Sequence, residues 1–202
     1  MKILVIGAHP DDIEYGMGGT AAKMIKAGHE VSFFIMTSGE TIESPEVRRG
    51  EAIEGAKILG VNNIIFGNVG DSHVKHDQEA IVTIENAIKK IKPDRVYCMS
   101  PEDTHQDHKN TALATISAAR DVPSLFFYET PSTMSSFLSQ IFVDIGDTIQ
   151  DKIKALHAHK SQNVKNFMDI SAVGGLANFR GFQTRKNIKH AEAFQVFKHI
   201  EL

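Results

Sequence analysis

The chain has 202 residues, a formal net charge of −3 and 42% hydrophobic residues, enough to bury a sizeable core in one large domain or two small ones. Lys and Arg are scattered rather than clustered, so there is no basic footprint for nucleic acid. The longest apolar runs, such as Ile3 to Ala8, Phe33 to Met36 and Leu125 to Tyr128, are too short to span a bilayer, and the single cysteine, Cys98, cannot form an intramolecular disulfide, which fits a reducing cytoplasm.

Lys2 to Gly7 is a continuous apolar run ended by glycine and reads as a strand buried on both faces. It is not read as a signal peptide, because the run is brief and breaks at His9-Pro10-Asp11-Asp12. Tyr15 to Ala27 follows as a helix that opens in a glycine-rich turn and stops at Gly28, and Glu30 to Thr37 is a second buried strand. Ser44-Pro45 is a helix start with a capping hydroxyl and proline at the first helical position, and that helix runs to Leu59. Asn63 to Phe66 is a third strand, followed by the polar loop Gly67 to His76 and an amphipathic helix from Asp77 to Ile91. Arg95 to Met99 is a fourth strand, Asp107 to Arg120 a helix and Ser124 to Tyr128 a fifth strand. Beyond it the alternation weakens to a strand at Gln140 to Ile145, a helix at Thr148 to Gln162 and a closing strand at Ala191 to Lys198.

Strand and helix in regular alternation predict an α/β fold: a single Rossmann-like domain over 1–202, with a mostly parallel sheet and helices on both faces. Residues 1–130 form its core and residues 131–202 an irregular extension of the same domain. In the usual strand order 3-2-1-4-5, strands one and four are neighbours where the winding reverses, and ligands bind beyond their carboxyl ends.

Two clusters follow those strands directly: His9-Pro10-Asp11-Asp12 with Glu14 after the first, and His105-Gln106-Asp107-His108 after the fourth. Histidine nitrogens and carboxylate oxygens suit a catalytic metal, which takes three protein ligands and leaves a position for water. The plainer alternative is that Asp11 and Asp12 cap the following helix. That accounts for one aspartate at a strand-to-helix turn, but not for both clusters on either side of a switch point.

Ala8-His9-Pro10-Asp11-Asp12, with Glu14 and Gly18-Gly19-Thr20, resembles the signature of the PIG-L/LmbE-type deacetylases, and His105-x-Asp107-His108 resembles their second motif. Weaker landmarks agree: Arg48-x-x-Glu51, Asp71, His159-Lys160-Ser161-Gln162 and Ala191-Glu192-Ala193-Phe194. The resemblance implies a zinc-dependent N-deacetylase with His9, Asp12 and His108 as metal ligands. It implies Asp11 as the base that deprotonates the attacking water, and His105 as oxyanion stabiliser or acid, with Asp107 orienting His105 through a hydrogen bond. Arg48 and Asp71 would hold the sugar hydroxyls or the aglycone. Zn2+ is the expected ion, although Fe2+ or another divalent ion fits the same ligands. The substrate class implied is a small-molecule amino-sugar conjugate, the location cytoplasmic, without a nucleic-acid or membrane partner, and the assembly a homo-oligomer. Two departures stand out: His190 where relatives often carry Tyr, and Ile13 between Asp12 and Glu14. A metal phosphoesterase and a non-catalytic sugar-binding protein on the same fold stay open as alternatives.

Other residues take plainer readings. Gly16, Gly18 and Gly19 lack dinucleotide-fingerprint spacing and read as close helix-on-strand packing. His29, His73, His76, His190 and His199 read as surface histidines, and Cys98 as a buried strand residue without a neighbouring base. His157 and His159 lie two apart on the expected helix and so face different directions, which argues against their chelating one ion together. Ser161 lacks the context of a serine nucleophile.

Overall fold

The computed structural model describes residues 1–162 and 169–200, and in it the apolar run Lys2–Gly7 (β1) is an interior strand of a seven-stranded sheet. The elements follow in chain order as α1 (Asp12–Lys26), β2 (Glu30–Thr37), α2 (Pro45–Ile58), β3 (Asn63–Val69), α3 (Gln78–Ile91), β4 (Arg95–Met99), α4 (Gln106–Ala118) and β5 (Ser124–Tyr128). Then come β6 (Ile141–Asp144), α5 (Ile149–His157), a 3-10 turn (Lys160–Gln162), α6 (Ile170–Gln183) and β7 (Ala191–His199). The sheet order is β3-β2-β1-β4-β5-β7-β6. The first five strands pair in parallel, as the alternation predicts. The last two are antiparallel, because β7 returns along β5 and β6 closes the edge against β7.

Right-handed crossovers put α1 and α2 on one face and α3 and α4 on the other, and the packing of α1 and α2 on α5, and of α3 on α4, follows that division. With both faces covered, Ile3, Leu4, Val5 and Ile6 are all fully buried, which explains a continuous rather than alternating apolar run. The helix starts read from sequence are present: Val47 N–H donates to Ser44 Oγ (3.4 Å) at α2, and Ala80 N–H donates to Asp77 Oδ1 (3.1 Å) at α3. Cys98 is fully buried in β4, and burial pushes its thiol well above the usual range. Among the described residues no helix is long and apolar enough to cross a membrane.

Four elements differ from the sequence expectation, and the first, β3, runs on to Val69 through the start of the expected loop. Helix α1 begins at Asp12 instead of Tyr15 and is kinked at Met17 (φ −148°, ψ 25°). Just beyond the kink Glu192 of β7 accepts from Gly19 N–H (3.0 Å) and Thr20 N–H (2.7 Å), while Lys152 of α5 pairs with the same carboxylate at 2.7 Å. Helix α5 ends at His157, short of Gln162. Helix α6 has no counterpart in the sequence expectation, because Gly174, Gly175 and Gly181 lower helix propensity there. It forms by packing: Val173, Ala177 and Gly181 are its buried stripe, and a Cβ on Gly181 would lie 2.6 Å from Ile188 O. The glycine-rich start of α1 does serve close packing. A Cβ on Gly16 would lie 2.0 Å from the Tyr128 ring of β5, and one on Gly19 would lie 2.9 Å from Ile145.

Candidate active site

Pairing of β1 with β4 brings the two Asp/His clusters to one end of the sheet. After β1 the backbone turns sharply, leaving Asp11 in the left-handed region (φ 105°, ψ −28°) at the head of α1, where its side chain makes no capping bond. Asp12 turns back on the strand end, and its Oδ2 accepts from Ala8 N–H (3.0 Å) and His9 N–H (2.8 Å). Neither carboxylate therefore caps α1, and the capping alternative does not hold.

Asp12 lies between two imidazoles. Its Oδ2 is 3.5 Å from His9 Nδ1 and its Oδ1 is 3.1 Å from His108 Nε2. Ligand atoms around a tetrahedral ion with bonds near 2.0–2.1 Å sit about 3.3 Å apart, close to both separations, although each uses a different Asp12 oxygen. The remaining nitrogen of each histidine meets a carboxylate. His9 Nε2 lies 3.2 Å from Asp107 Oδ2 and 3.2 Å from Asp71 Oδ1, and His108 Nδ1 lies 3.1 Å from Asp103 Oδ2. Outer carboxylates of this kind fix the tautomer and orientation of metal-binding imidazoles. The electrostatics agree. Burial opposes charge on His108, but Asp12 and Asp103 outweigh it and push its pKa up to about 9. Burial likewise opposes the Asp103 charge, yet His108 holds that carboxyl down at about 2. Asp12 stays well below the usual carboxylate range because His108 and His9 overcome its burial.

His105 is the exposed first residue of the α4 cap, with its ring stacked on His108 at 4.6 Å between centroids. Its Nδ1 accepts from Asp107 N–H (3.2 Å), which leaves the proton on Nε2, and burial together with His108 and His9 lowers its pKa. Asp107 therefore orients His105 only through its backbone. The expected hydrogen bond to His105 is thus present but comes from the backbone, while the carboxylate is fully buried and serves His9 and Ser72 N–H (2.7 Å). Asp71 accepts from Thr41 N–H (3.1 Å), Thr41 Oγ1 and His9, contacts that hold its charge against burial. Two groups have metal-ligand spacing among the described residues, His9 with His105 and His108, and His9 with Asp71 and Asp107; Asp12 belongs to neither but contacts both His9 and His108. The carboxylates of the second group, however, are already engaged by Ser72 and Thr41.

Asp11 is half-buried, and burial followed by the Asp12 charge raises its pKa, which suits a base working near neutrality. Arg48, only 1% exposed, donates from Nη2 to Pro10 O (2.7 Å) and Asp11 Oδ2 (3.3 Å). These side chains open on a cavity of about 240 Å³, which Tyr15, Ile42, Pro131 and Gln162 also line.

The family model described as PIG-L, GlcNAc-PI de-N-acetylase, matches residues 4–119. The chain belongs to the PIG-L family. Among its relatives is the uncharacterized deacetylase YaiS of Escherichia coli (strain K12), 38% identical over 168 residues, which cover 79% of this chain and 90% of that one. Among solved structures, the conserved protein TT1542 from Thermus thermophilus superposes with a TM-score of 0.89 at 25% identity, over 100% of this chain and 97% of that one. The N,N'-diacetylchitobiose deacetylase from Pyrococcus horikoshii superposes with a TM-score of 0.84 at 25% identity, over 97% and 83% of the two chains.

In this PIG-L chain every residue singled out from sequence for the site lies at the cavity or directly behind it. His9, Asp11, Asp12, Arg48, Asp71, His105 and His108 line it, while Asp107 stands behind His9. His159 does not reach the cavity: it is fully buried with its Nε2 3.2 Å from Glu14 Oε1. Sequence reasoning misses Asp103. It sits in the polar stretch just after β4, and its place five residues ahead of His108 is the available signal. The wall residues Thr41, Ser72, Pro131 and Ser132 also escape it, since loop residues without chemistry of their own carry no pattern.

Proposed function

We propose that the chain is a metal-dependent N-deacetylase that hydrolyses the acetamide of an N-acetylglucosamine-type sugar. The observation that carries this reading is the double-sided hold on His9 and His108. One nitrogen of each faces Asp12, and the other is held by a buried carboxylate, a geometry suited to ion binding. His9, Asp12 and His108 would hold zinc or a similar divalent ion. Bound there, the ion supplies an acidified water and polarises the amide carbonyl. Asp11 takes the proton of the attacking water and passes it to the departing amine. His105 donates its Nε2–H to the oxygen that gains charge. Arg48 and Asp71 line the space that the sugar would occupy. The cavity of about 240 Å³ is smaller than the ~300–1,000 Å³ of sites that engulf drug-sized ligands. It takes one sugar residue with its acetamide and leaves the aglycone outside. The diacetylchitobiose deacetylase similarity supports a sugar of this kind.

The test is acetate release from N-acetylglucosamine and N,N'-diacetylchitobiose by protein of measured metal content. Zinc-dependent release that is lost in His108→Ala together with the metal supports the reading. A protein that binds about one ion yet hydrolyses no N-acetyl sugar would instead be a binding protein, and one that binds none would remove the basis of the proposal.

A further inference from the structure

Asp11 holds a left-handed backbone conformation that an aspartate keeps only where its surroundings enforce it. Its side chain makes no cap, and the preceding carbonyl, Pro10 O, points away from the helix to Arg48. Arg48 is itself tied on its far side, with Nη1 3.4 Å from Ser161 Oγ and 3.5 Å from Glu51 Oε2. Ser161 donates to Glu51 twice, from its backbone N–H (2.8 Å) and from its hydroxyl (2.6 Å). Gly39 (φ 66°) makes the room, since a Cβ there would lie 2.8 Å from Arg48 Nε. Arg48 borders the cavity, but it is only 1% exposed and both of its Nη groups are taken by these partners, with Nε alone left without one.

Resting on the deacetylase reading, we propose that Arg48 is a positioning residue for Asp11. Its guanidinium clamps Pro10 O and the Asp11 carboxylate, and Glu51 and Ser161 brace it from the far side. Ser161, which completes the brace, comes from the C-terminal part of the chain, outside residues 4–119 matched by the family model. A bidentate, planar donor is required, because one group must reach a carbonyl and a carboxylate on one side and the Glu51–Ser161 pair on the other. Lysine, with a single ammonium on a flexible stem, cannot do this.

The experiment compares Arg48→Lys, Arg48→Met and Ser161→Ala with wild type, all zinc-loaded, on N,N'-diacetylchitobiose. Metal content and amide hydrogen exchange over residues 8–14 are followed alongside. Displacing the base should lower kcat about a hundredfold in both Arg48 variants, with KM within about twofold and zinc retained. Ser161→Ala should lower kcat about tenfold by the same loss of alignment. Exchange over residues 8–14 should quicken in all three, with the rest of the chain unchanged. A KM that rises while kcat holds, or rescue by lysine, would make Arg48 a substrate contact and overturn the proposal; so would wild-type kcat in Ser161→Ala. If Arg48→Met does not fold, the other two variants decide. If wild type releases no acetate, the deacetylase reading fails, and the exchange rates alone still uphold or overturn the clamp.

Discussion

Asp103→Asn tests how the metal face is held. Asp103 is 5% exposed and saturated with donors: Oδ1 accepts from His105 N–H (2.8 Å), and Oδ2 faces His108 Nδ1 (3.1 Å), Thr130 Oγ1 (2.7 Å) and Thr133 Oγ1 (3.3 Å). Asparagine keeps the shape and one carbonyl. If that oxygen stays on His105 N–H, the amide NH2 meets His108 Nδ1–H, donor against donor. His108 then either turns or takes the other tautomer, and the nitrogen facing Asp12 is no longer the free one. Loss of such an outer carboxylate typically weakens metal affinity ~10–100-fold, or ~1.4–2.7 kcal/mol. Asp107→Asn should cost a similar amount through His9, because its carboxylate is the matching support there. Competition of apo protein with a chromophoric zinc chelator at neutral pH measures both, with circular dichroism to verify the fold. A folded Asp103→Asn protein with zinc affinity within about threefold of wild type would refute the reasoning, since the expected loss is at least tenfold.

Asp11→Asn should lower the deacetylation rate ~10²–10⁴-fold while metal content stays at the wild-type level; joint loss of metal and rate would make Asp11 a ligand instead. In the metal-free protein His108 has its folded pKa raised from 6.5 to about 9, so its contribution to stability is complete below 6.5 and lost as pH rises through 9. Asp103, lowered from 3.8 to about 2, contributes above 3.8 and loses that as pH falls through 2. Melting temperatures of the apo protein should therefore decline on both flanks, and a flat profile from neutral to alkaline pH would contradict the His108 pairing. Lys152→Met strands the buried Glu192 carboxylate and should cost ~3–5 kcal/mol in denaturant unfolding. Gly16→Ala gains ~1 kcal/mol of helix propensity. It must, however, push a Cβ to 2.0 Å from the ring of Tyr128, which is fully buried and donates to Ile6 O (2.7 Å). A net loss of stability is expected, visible as a lower melting temperature.

The parallel half of the fold was legible because its signals are local. A strand buried on both faces must be apolar throughout, so β1, β2, β4 and β5 stand out as runs, and Ser44-Pro45 and Asp77 mark their helices by hydrogen bonds made within four residues. The ligand candidates were legible for a related reason. His9, Asp12 and His108 follow directly from strands whose adjacency the winding rule predicts, and their motifs resemble one family over most of the chain. Helix α6 and the kink of α1 were not legible. The first depends on glycines that pack against distant backbone, and the second is capped by Glu192, far along the chain.

By itself the sequence determined the fold class, the strand order through β5 and the meeting of the His9–Asp12 and His105–His108 clusters at the switch point, because these follow from apolar period and chain direction. Only the tertiary structure decided which partner each polar group takes. Asp107 turned to His9 instead of His105, Asp103 emerged behind His108, and Arg48 closed on Pro10 and Asp11. The physical reason is that a buried hydrogen bond is chosen by distance and direction in three dimensions. Composition and spacing state which groups are available, but not which of several nearby acceptors a given nitrogen will reach.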